Sequence, residues 1–151
     1  MALLEPSAVD CVIYHADCTD GFGSAYSAWK LLGNRAEYHA CKHGTLPPDV
    51  KGKNVVLVDD MVDTAGTLTK AADLMMERGA LSVRAICTHP IMSGSAFERL
   101  ENSKLQELIV TDSIPLGQES PKLKVLTCAT LFADVMKSVH ENESISSKFL
   151  M

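Results

Sequence analysis

The chain has 151 residues, of which 46% are hydrophobic and 22% are charged. This balance is typical of one globular domain and excludes a disordered chain, so we predict a single α/β domain over residues 1–151. The formal net charge of −5, with no cluster of Lys and Arg, argues against a nucleic-acid surface. No apolar run approaches the ~20 residues of a membrane-spanning helix, so no membrane partner is expected.

The cysteines and the amino terminus indicate the compartment. The five cysteines are odd in number, widely scattered and without a CxxC pair, which favours free thiols. The opening sequence MALLEPSAVD lacks the basic start and the long apolar stretch of a secretory signal. We therefore expect a cytoplasmic protein, or a recombinant protein without a native location.

Strand-like and helix-like segments alternate along the chain. The predicted strands cover 11–16, 36–41, 54–59, 82–89, 107–112 and 124–129. The predicted helices cover 20–32, 66–78, about 95–101 and 130–142, and the prolines within 43–53 argue against a helix there. This alternation predicts a three-layer αβα sandwich around a mostly parallel sheet of five to six strands. A flavodoxin-like strand order of 2-1-3-4-5 is the expected topology.

One segment, VVLVDDMVDTAGTLTKAAD (55–73), joins a predicted buried strand to a helix. Ligands of parallel sheets collect at the carboxyl ends of the strands, where Asp59 and Asp60 are expected to lie. The turn over 64–67 opens the helix, whose free N–H groups favour an anion, and Gly66 allows close approach of a phosphate. Acids suit sugar hydroxyls or a Mg²⁺ that bridges to phosphate oxygens. The segment therefore predicts a site for a phosphorylated sugar, although acids and threonines here also suit a simple helix cap.

The same segment resembles the phosphoribosyl pyrophosphate loop of type I phosphoribosyltransferases, in the form found in ribose-phosphate pyrophosphokinase. The likeness continues through AADLMMERGALSVRAICTHPIMSGSAFERL to the tail ESISSKF, and covers about Gly52 to Phe149. Pro90 departs from it, because the family usually has glycine after TH. The resemblance implies that Asp59 and Asp60 hold ribose hydroxyls and that the following turn wraps the 5-phosphate. The implied ligand-binding set is Asp59, Asp60, Asp63, Thr64, Ala65, Gly66 and Thr67.

The first third of the chain resembles a different family. VIYHADCTDGFGSAYSAWKLLG, with the AEYHAC strand that follows, is similar to the amino-terminal part of DHH-type phosphoesterases, which use divalent metals. Phe22 stands where many members carry a second Asp, and the Asp-His-His motif has no counterpart. Asp20 alternatively caps a helix that begins at Gly21. No cofactor is required, but Mg²⁺ or Mn²⁺ is the metal implied for a set made of His15, Asp17, Asp20 and Asp59.

The two resemblances meet at Gly52 to Asp60, a segment common to both families. We interpret the chain as an engineered or recombined chimera, phosphoesterase-like over 1–51 and phosphoribosyltransferase-like over 52–151. It is expected to bind phosphate, ribose 5-phosphate or phosphoribosyl pyrophosphate without turnover, because neither catalytic set is complete. The alternatives are a DHH-type metal-dependent phosphohydrolase and a fragment of a ribose-phosphate pyrophosphokinase. A homodimer is one expected assembly, because a lost neighbouring domain would leave apolar surface exposed.

Overall fold

The computed structural model describes residues 5–42, 44–45 and 48–148. Within these ranges, six strands alternate with four α-helices, and three 3₁₀ turns lie at Pro6–Ala8, Gly33–Arg35 and Ser146–Lys148. In chain order the elements are β1 (Cys11–His15), α1 (Thr19–Leu32), β2 (Glu37–Cys41), β3 (Asn54–Val62), α2 (Gly66–Glu77), β4 (Ser82–Pro90), α3 (Ala96–Asn102), β5 (Glu107–Thr111), β6 (Leu123–Leu126) and α4 (Ala129–His140).

The six strands form one sheet in the order β2-β1-β3-β4-β5-β6, and every pairing between them is parallel. The predicted three-layer fold and strand order are therefore confirmed, with β6 added at the far edge. The chain places β2 on one side of β1 and then returns to place β3 on the other side. The strand order thus reverses between β1 and β3, which is where ligands of such sheets bind.

Helices cover both faces of the sheet, so successive residues of the central strands are buried on alternate sides. On the side of α2 and α3, the core contains Ile13, Leu57 and Leu108. On the side of α1, Val12 and Val56 pack with other apolar residues in a second, smaller core. This double burial explains why the strand NVVLV is apolar almost throughout.

The main difference from the predicted elements is the length of β3. It continues to Val62 because β4 is equally long, with Val62 opposite Pro90, whereas its pairing with β1 stops at Tyr14 and Val58. Asp59 and Asp60 therefore lie inside the last part of the strand and not at its end. Beyond Val58, one edge of β3 is open, because no strand in the described part of the chain pairs with it there.

Other boundaries move by a few residues. Helix α1 begins at Thr19, not at Gly21, and no side chain caps it, so the prediction that Asp20 caps this helix is wrong. Strand β6 ends at Leu126, earlier than predicted. The predicted loop 43–53 contains no helix in its described part, and residues 43, 46 and 47 lie outside the described residues. Among the described residues, no helix is both long and apolar enough to cross a bilayer.

Candidate functional site

The open edge of β3 carries the two predicted acids. Asp59 is partly buried, and its Oδ1 accepts a hydrogen bond from the backbone N–H of Asp60 at 3.0 Å. Burial raises the pKa of Asp59 above its usual range, and the neighbouring Asp60 carboxylate adds to this rise. The Asp60 N–H and His15 act in the opposite direction but do not cancel the rise. This site therefore favours partners that donate hydrogen bonds to a carboxylate, such as sugar hydroxyls.

The turn after β3 has an unusual backbone at its last residue. Ala65 has a φ of +56°, in the left-handed region, and it is only 4% exposed. Its carbonyl oxygen accepts hydrogen bonds from the N–H of Thr69 at 3.0 Å and from the Thr69 hydroxyl at 2.8 Å. A left-handed residue that is not glycine costs roughly 1–3 kcal/mol and persists only where the surroundings hold it. The turn is therefore held in place by its neighbours.

Helix α2 begins at Gly66 without a side-chain cap. Within the described part of the chain, the N–H groups of Gly66, Thr67 and Leu68 donate to no protein acceptor. A Cβ atom on Gly66 would make ordinary van der Waals contacts, 3.5 Å from Arg99 Nη1 and 3.7 Å from Thr64 Oγ1, so one further atom fits beside Gly66. The alternative reading, in which acids or threonines cap this helix, is wrong. The exposed amides instead form a cradle for an anion, and we call residues 63–68 the cradle loop.

Asp63, predicted as a ligand residue, has its side chain bound to Ser93. Its Oδ1 accepts a hydrogen bond from the Ser93 hydroxyl at 2.5 Å, and its carbonyl oxygen accepts one from the Ser93 N–H at 3.0 Å. A carboxylate also repels phosphate, so the contribution that suits Asp63 is structural. Its predicted contact with a ligand stays a prediction.

The four predicted metal ligands do not form a metal site in the structure. Asp17 Oδ2 pairs with Lys42 Nζ at 2.5 Å, and Asp20 Oδ2 lies 3.7 Å from Cys18 Sγ. Among the described residues, no group of three or more His, Cys, Asp or Glu side chains could hold a metal ion. Metal binding by His15, Asp17, Asp20 and Asp59 therefore stays a prediction without geometric support.

Further polar residues lie at the carboxyl ends of β4 and β5. His89 Nδ1 lies 2.9 Å from the Ser113 hydroxyl, and the Thr111 hydroxyl donates to the carbonyl oxygen of Thr88 at 2.7 Å. Ser113 and Thr111 are not among the predicted site residues. Their partners lie 24 and 23 residues away along the chain, so no local pattern signals the contact.

A family model agrees with this geometry. The model of the phosphoribosyl synthetase-associated domain matches residues 40–150, which include β3, the cradle loop and every later element. The chain belongs to the phosphoribosyl synthetase family. A ribose-phosphate pyrophosphokinase from Wolinella succinogenes is 54% identical over 102 residues, 68% of this chain and 33% of that protein. One from Porphyromonas gingivalis is 54% identical over 101 residues, 67% of this chain and 32% of that protein.

A solved structure extends the similarity to the first third of the chain. The phosphoribosylpyrophosphate synthetase from Mycobacterium smegmatis has a TM-score of 0.74 and 33% sequence identity, and covers 90% of this chain and 47% of that chain. The chain described here spans about a third of the length of the curated relatives that it matches.

These findings correct the chimeric interpretation. Because the solved synthetase covers 90% of the chain, most of residues 1–51 superpose on the same fold as the remainder. The family model itself begins at residue 40, before the supposed join at Gly52. The predictions of an engineered or recombined chimera and of a DHH-type phosphohydrolase are therefore wrong, whereas the absence of turnover stays a prediction. A strand that ends in acids beside a helix start is common to many parallel sheets, which explains the misleading local likeness.

Proposed function

We propose that this domain binds the ribose 5-phosphate of a ribose-phosphate pyrophosphokinase. The 5-phosphate lies on the free N–H groups at the start of α2, and the ribose hydroxyls lie on Asp59 and Asp60. The observation that carries this proposal is the presence of two opposite chemistries within one short segment. Two carboxylates lie in the last part of β3, where one edge of the strand is open, and amides without acceptors follow at the start of α2.

The energetics of the cradle loop suffice for recognition of a phosphate. A hydrogen bond to a charged group contributes roughly 1.5–3 kcal/mol. Millimolar affinity needs about 4 kcal/mol, so two or three amides are enough. The positive end of the α2 dipole adds to the attraction.

Mg²⁺ fits the same arrangement. It is bound in phosphate-transfer sites through one or two carboxylates together with phosphate oxygens of the substrate, and not by a full set of protein ligands. Asp59 and Asp60 are the residues that would hold it, and it would neutralise charge on the phosphates. The protein's own task is to fix the two carboxylates and the amides in one orientation.

Names of the relatives describe transfer of a pyrophosphoryl group to a ribose phosphate. Because the match spans about a third of those proteins, we assign to this domain only the binding of the ribose phosphate in that reaction. The acceptor hydroxyl of the ribose would be presented at the crevice between β1 and β3. Fixing a substrate in this way lowers the barrier by supplying orientation in advance.

The test is a titration of the ¹⁵N-labelled protein, followed by amide NMR. Ribose 5-phosphate at millimolar concentration should move the signals of residues 64–68, and inorganic phosphate should move the same signals more weakly. Ribose without phosphate should move few of them. Unchanged signals from Thr64 to Leu68 at ~10 mM ribose 5-phosphate, well above the expected millimolar affinity, would show the proposal to be wrong.

A homodimer is the assembly that the exposed surface supports. Strand β6 lies at the outer edge of the sheet, with Val125 45% and Leu126 50% exposed. On α4, which follows it, Phe132, Met136 and Val139 repeat at the spacing of one helix face and are between 57% and 64% exposed. Large apolar residues exposed on an edge strand and on the helix that follows it are typical of a protein interface. We call these five residues the β6–α4 patch.

A further inference from the structure

The segment that follows β4 binds the outer side of the turn between β3 and α2. The N–H groups of Ile91 and Met92 donate to the carbonyl oxygen of Val62 at 3.0 and 3.1 Å. Ser93 holds the next residue twice, through its N–H to the Asp63 carbonyl at 3.0 Å and through its hydroxyl to the Asp63 carboxylate at 2.5 Å. The contacts thus follow the turn residue by residue.

Arg99, on α3, continues the same series. Its Nη1 donates to the carbonyl oxygen of Thr64 at 2.8 Å, and it lies directly beside Gly66. Three consecutive carbonyl groups, from Val62 to Thr64, therefore face the segment 91–99. Arg99 and Ser93 are both exposed, so neither is needed to fill the core.

The direction of these carbonyl groups determines the direction of the amides. In a planar trans peptide, the C=O of one residue and the N–H of the next point in opposite directions. A Thr64 carbonyl bound to Arg99 therefore turns the N–H of Ala65 away from Arg99. In the same way, the Asp63 carbonyl bound to Ser93 turns the N–H of Thr64 away from that segment. The clamped carbonyls thus fix the directions of the N–H groups of Thr64 and Ala65, and with them the backbone that leads into the free N–H groups at the start of α2.

The backbone at Ala65 shows why a clamp is needed. Its left-handed conformation is unfavourable for a residue with a Cβ atom. Such a residue persists only where the surrounding structure holds it. Thr69 holds the carbonyl of Ala65 from the helix side, and Arg99 holds the preceding peptide from the other side.

We infer that Ser93 and Arg99 are positioning residues of the sugar-phosphate site, which hold the carbonyl groups of Asp63 and Thr64 so that the cradle loop presents its amides to the ligand. This inference rests on the proposed function for its ligand. The effect of Ser93 and Arg99 on the order of the cradle loop is independent of the proposed function, because it can be measured in the free protein.

The experiment compares four variants of the full chain. Arg99→Met removes the donors with little change in length, and Arg99→Lys keeps the charge without the planar guanidinium. Ser93→Ala removes the hydroxyl that binds Asp63. Arg78→Met is the matched control, because Arg78 is exposed at the end of α2 and makes no side-chain hydrogen bond among the described residues.

The first measurement is amide hydrogen exchange without ligand of Thr69, Ile91 and Met92, whose N–H groups donate to carbonyl oxygens of the turn. We expect exchange to become at least about tenfold faster in Arg99→Met and Ser93→Ala, which corresponds to loss of about one hydrogen bond. Arg78→Met should leave these rates unchanged, and thermal unfolding should be similar in all variants. Unchanged exchange in both Arg99→Met and Ser93→Ala would overturn the inference, whatever the ligand results are.

The second measurement is the dissociation constant for ribose 5-phosphate at low and at high salt. Arg99→Met should weaken binding at least about tenfold at both salt concentrations, because a lost orientation is not screened by salt. Arg99→Lys should recover only part of the loss. If Arg99→Lys binds like the wild type and the Arg99→Met defect disappears at high salt, the role of Arg99 is its charge alone and the inference is wrong. If the wild type does not bind while exchange changes as expected, the proposed function fails and the clamp stands.

Discussion

Helix α1 begins in direct contact with the end of β1, because a Cβ atom on Gly21 would lie 2.2 Å from the carbonyl oxygen of His15. This oxygen belongs to backbone and cannot move aside as a flexible side chain would. The contact places the start of α1 against the crevice where the strand order reverses. It thus fixes one wall of the candidate site.

The first prediction follows from this contact. We expect Gly21→Ala to lower the free energy of unfolding by more than about 2 kcal/mol, because the new methyl group overlaps the His15 carbonyl. Gly23→Ala is the control, since a Cβ there meets nothing within 4 Å in the same helix. It should stabilise the protein by up to about 1 kcal/mol, as Ala favours helix over Gly. Denaturant unfolding measures both values, and equal values would contradict the contact.

The second prediction separates binding from stability at Gly66. In the free protein a methyl group fits, because the nearest atoms to a Cβ are 3.5 Å away or more. We therefore expect Gly66→Ala to leave the free energy of unfolding unchanged or raise it by up to about 1 kcal/mol. The methyl group would occupy the space beside the free amides, so ribose 5-phosphate should bind at least about tenfold more weakly. Calorimetric titration and thermal unfolding measure the two effects, and undiminished binding would contradict a phosphate on these amides.

The fold could be predicted from sequence because its signals are local. Alternation of apolar strands with amphipathic helices determined the three layers, and the short connections limited the strand order. The end of β3 could not be predicted in this way, because Met61 and Val62 are in the strand only through their pairing with His89 and Pro90. Such pairing depends on the length of a second strand, whose paired residues lie 28 positions later in the chain.

The candidate site likewise contains residues that a local sequence segment reveals and residues that it does not. Asp59, Asp60 and the start of α2 lie within one short segment, so their chemistry is visible in the sequence. Ser93 and Arg99 contact this segment from 30 and 35 residues away, and no periodicity or motif announces those contacts. The first third of the chain was assigned to the wrong family for a related reason: acids near a strand end can arise in any parallel sheet.

The third prediction concerns Asp59 and the chemistry of the ligand. Asp59→Asn should weaken binding of ribose 5-phosphate, because a carboxylate that accepts from sugar hydroxyls is lost. Binding of inorganic phosphate should stay the same or improve, because one negative charge near the anion is removed. We expect a change of at least about fivefold for the sugar phosphate, or about 1 kcal/mol. Equal losses for both ligands would show that Asp59 does not act through the sugar.

The fourth prediction is the pH dependence of stability that Asp59 causes. Burial raises the pKa of Asp59 in the folded protein above its value in the unfolded chain. The favourable contribution of this group is therefore complete below the unfolded pKa and is lost as the pH rises through the folded pKa. At about pH 3 the carboxyl is protonated in both the folded and the unfolded protein, so Asp59→Asn should match the wild type in stability. At about pH 7 the variant should be more stable than the wild type. A lower stability of the variant at neutral pH would contradict this.

The fifth prediction concerns the β6–α4 patch, and its measurement is the molar mass in solution. Burying an apolar patch of this kind between two copies removes Phe132 and Met136 from water, and each buried large side chain contributes roughly 1.5–3 kcal/mol. Met136→Lys should therefore weaken self-association at least about tenfold, because it places a charge in the contact.

Leu31→Ser is the control, since Leu31 is 67% exposed on α1, outside the patch. Light scattering after size exclusion should show a dimer for the wild type and Leu31→Ser, and a monomer for Met136→Lys at the same micromolar concentration. A wild type that stays monomeric, or a Leu31→Ser variant that dissociates equally, would show that this patch does not form the interface.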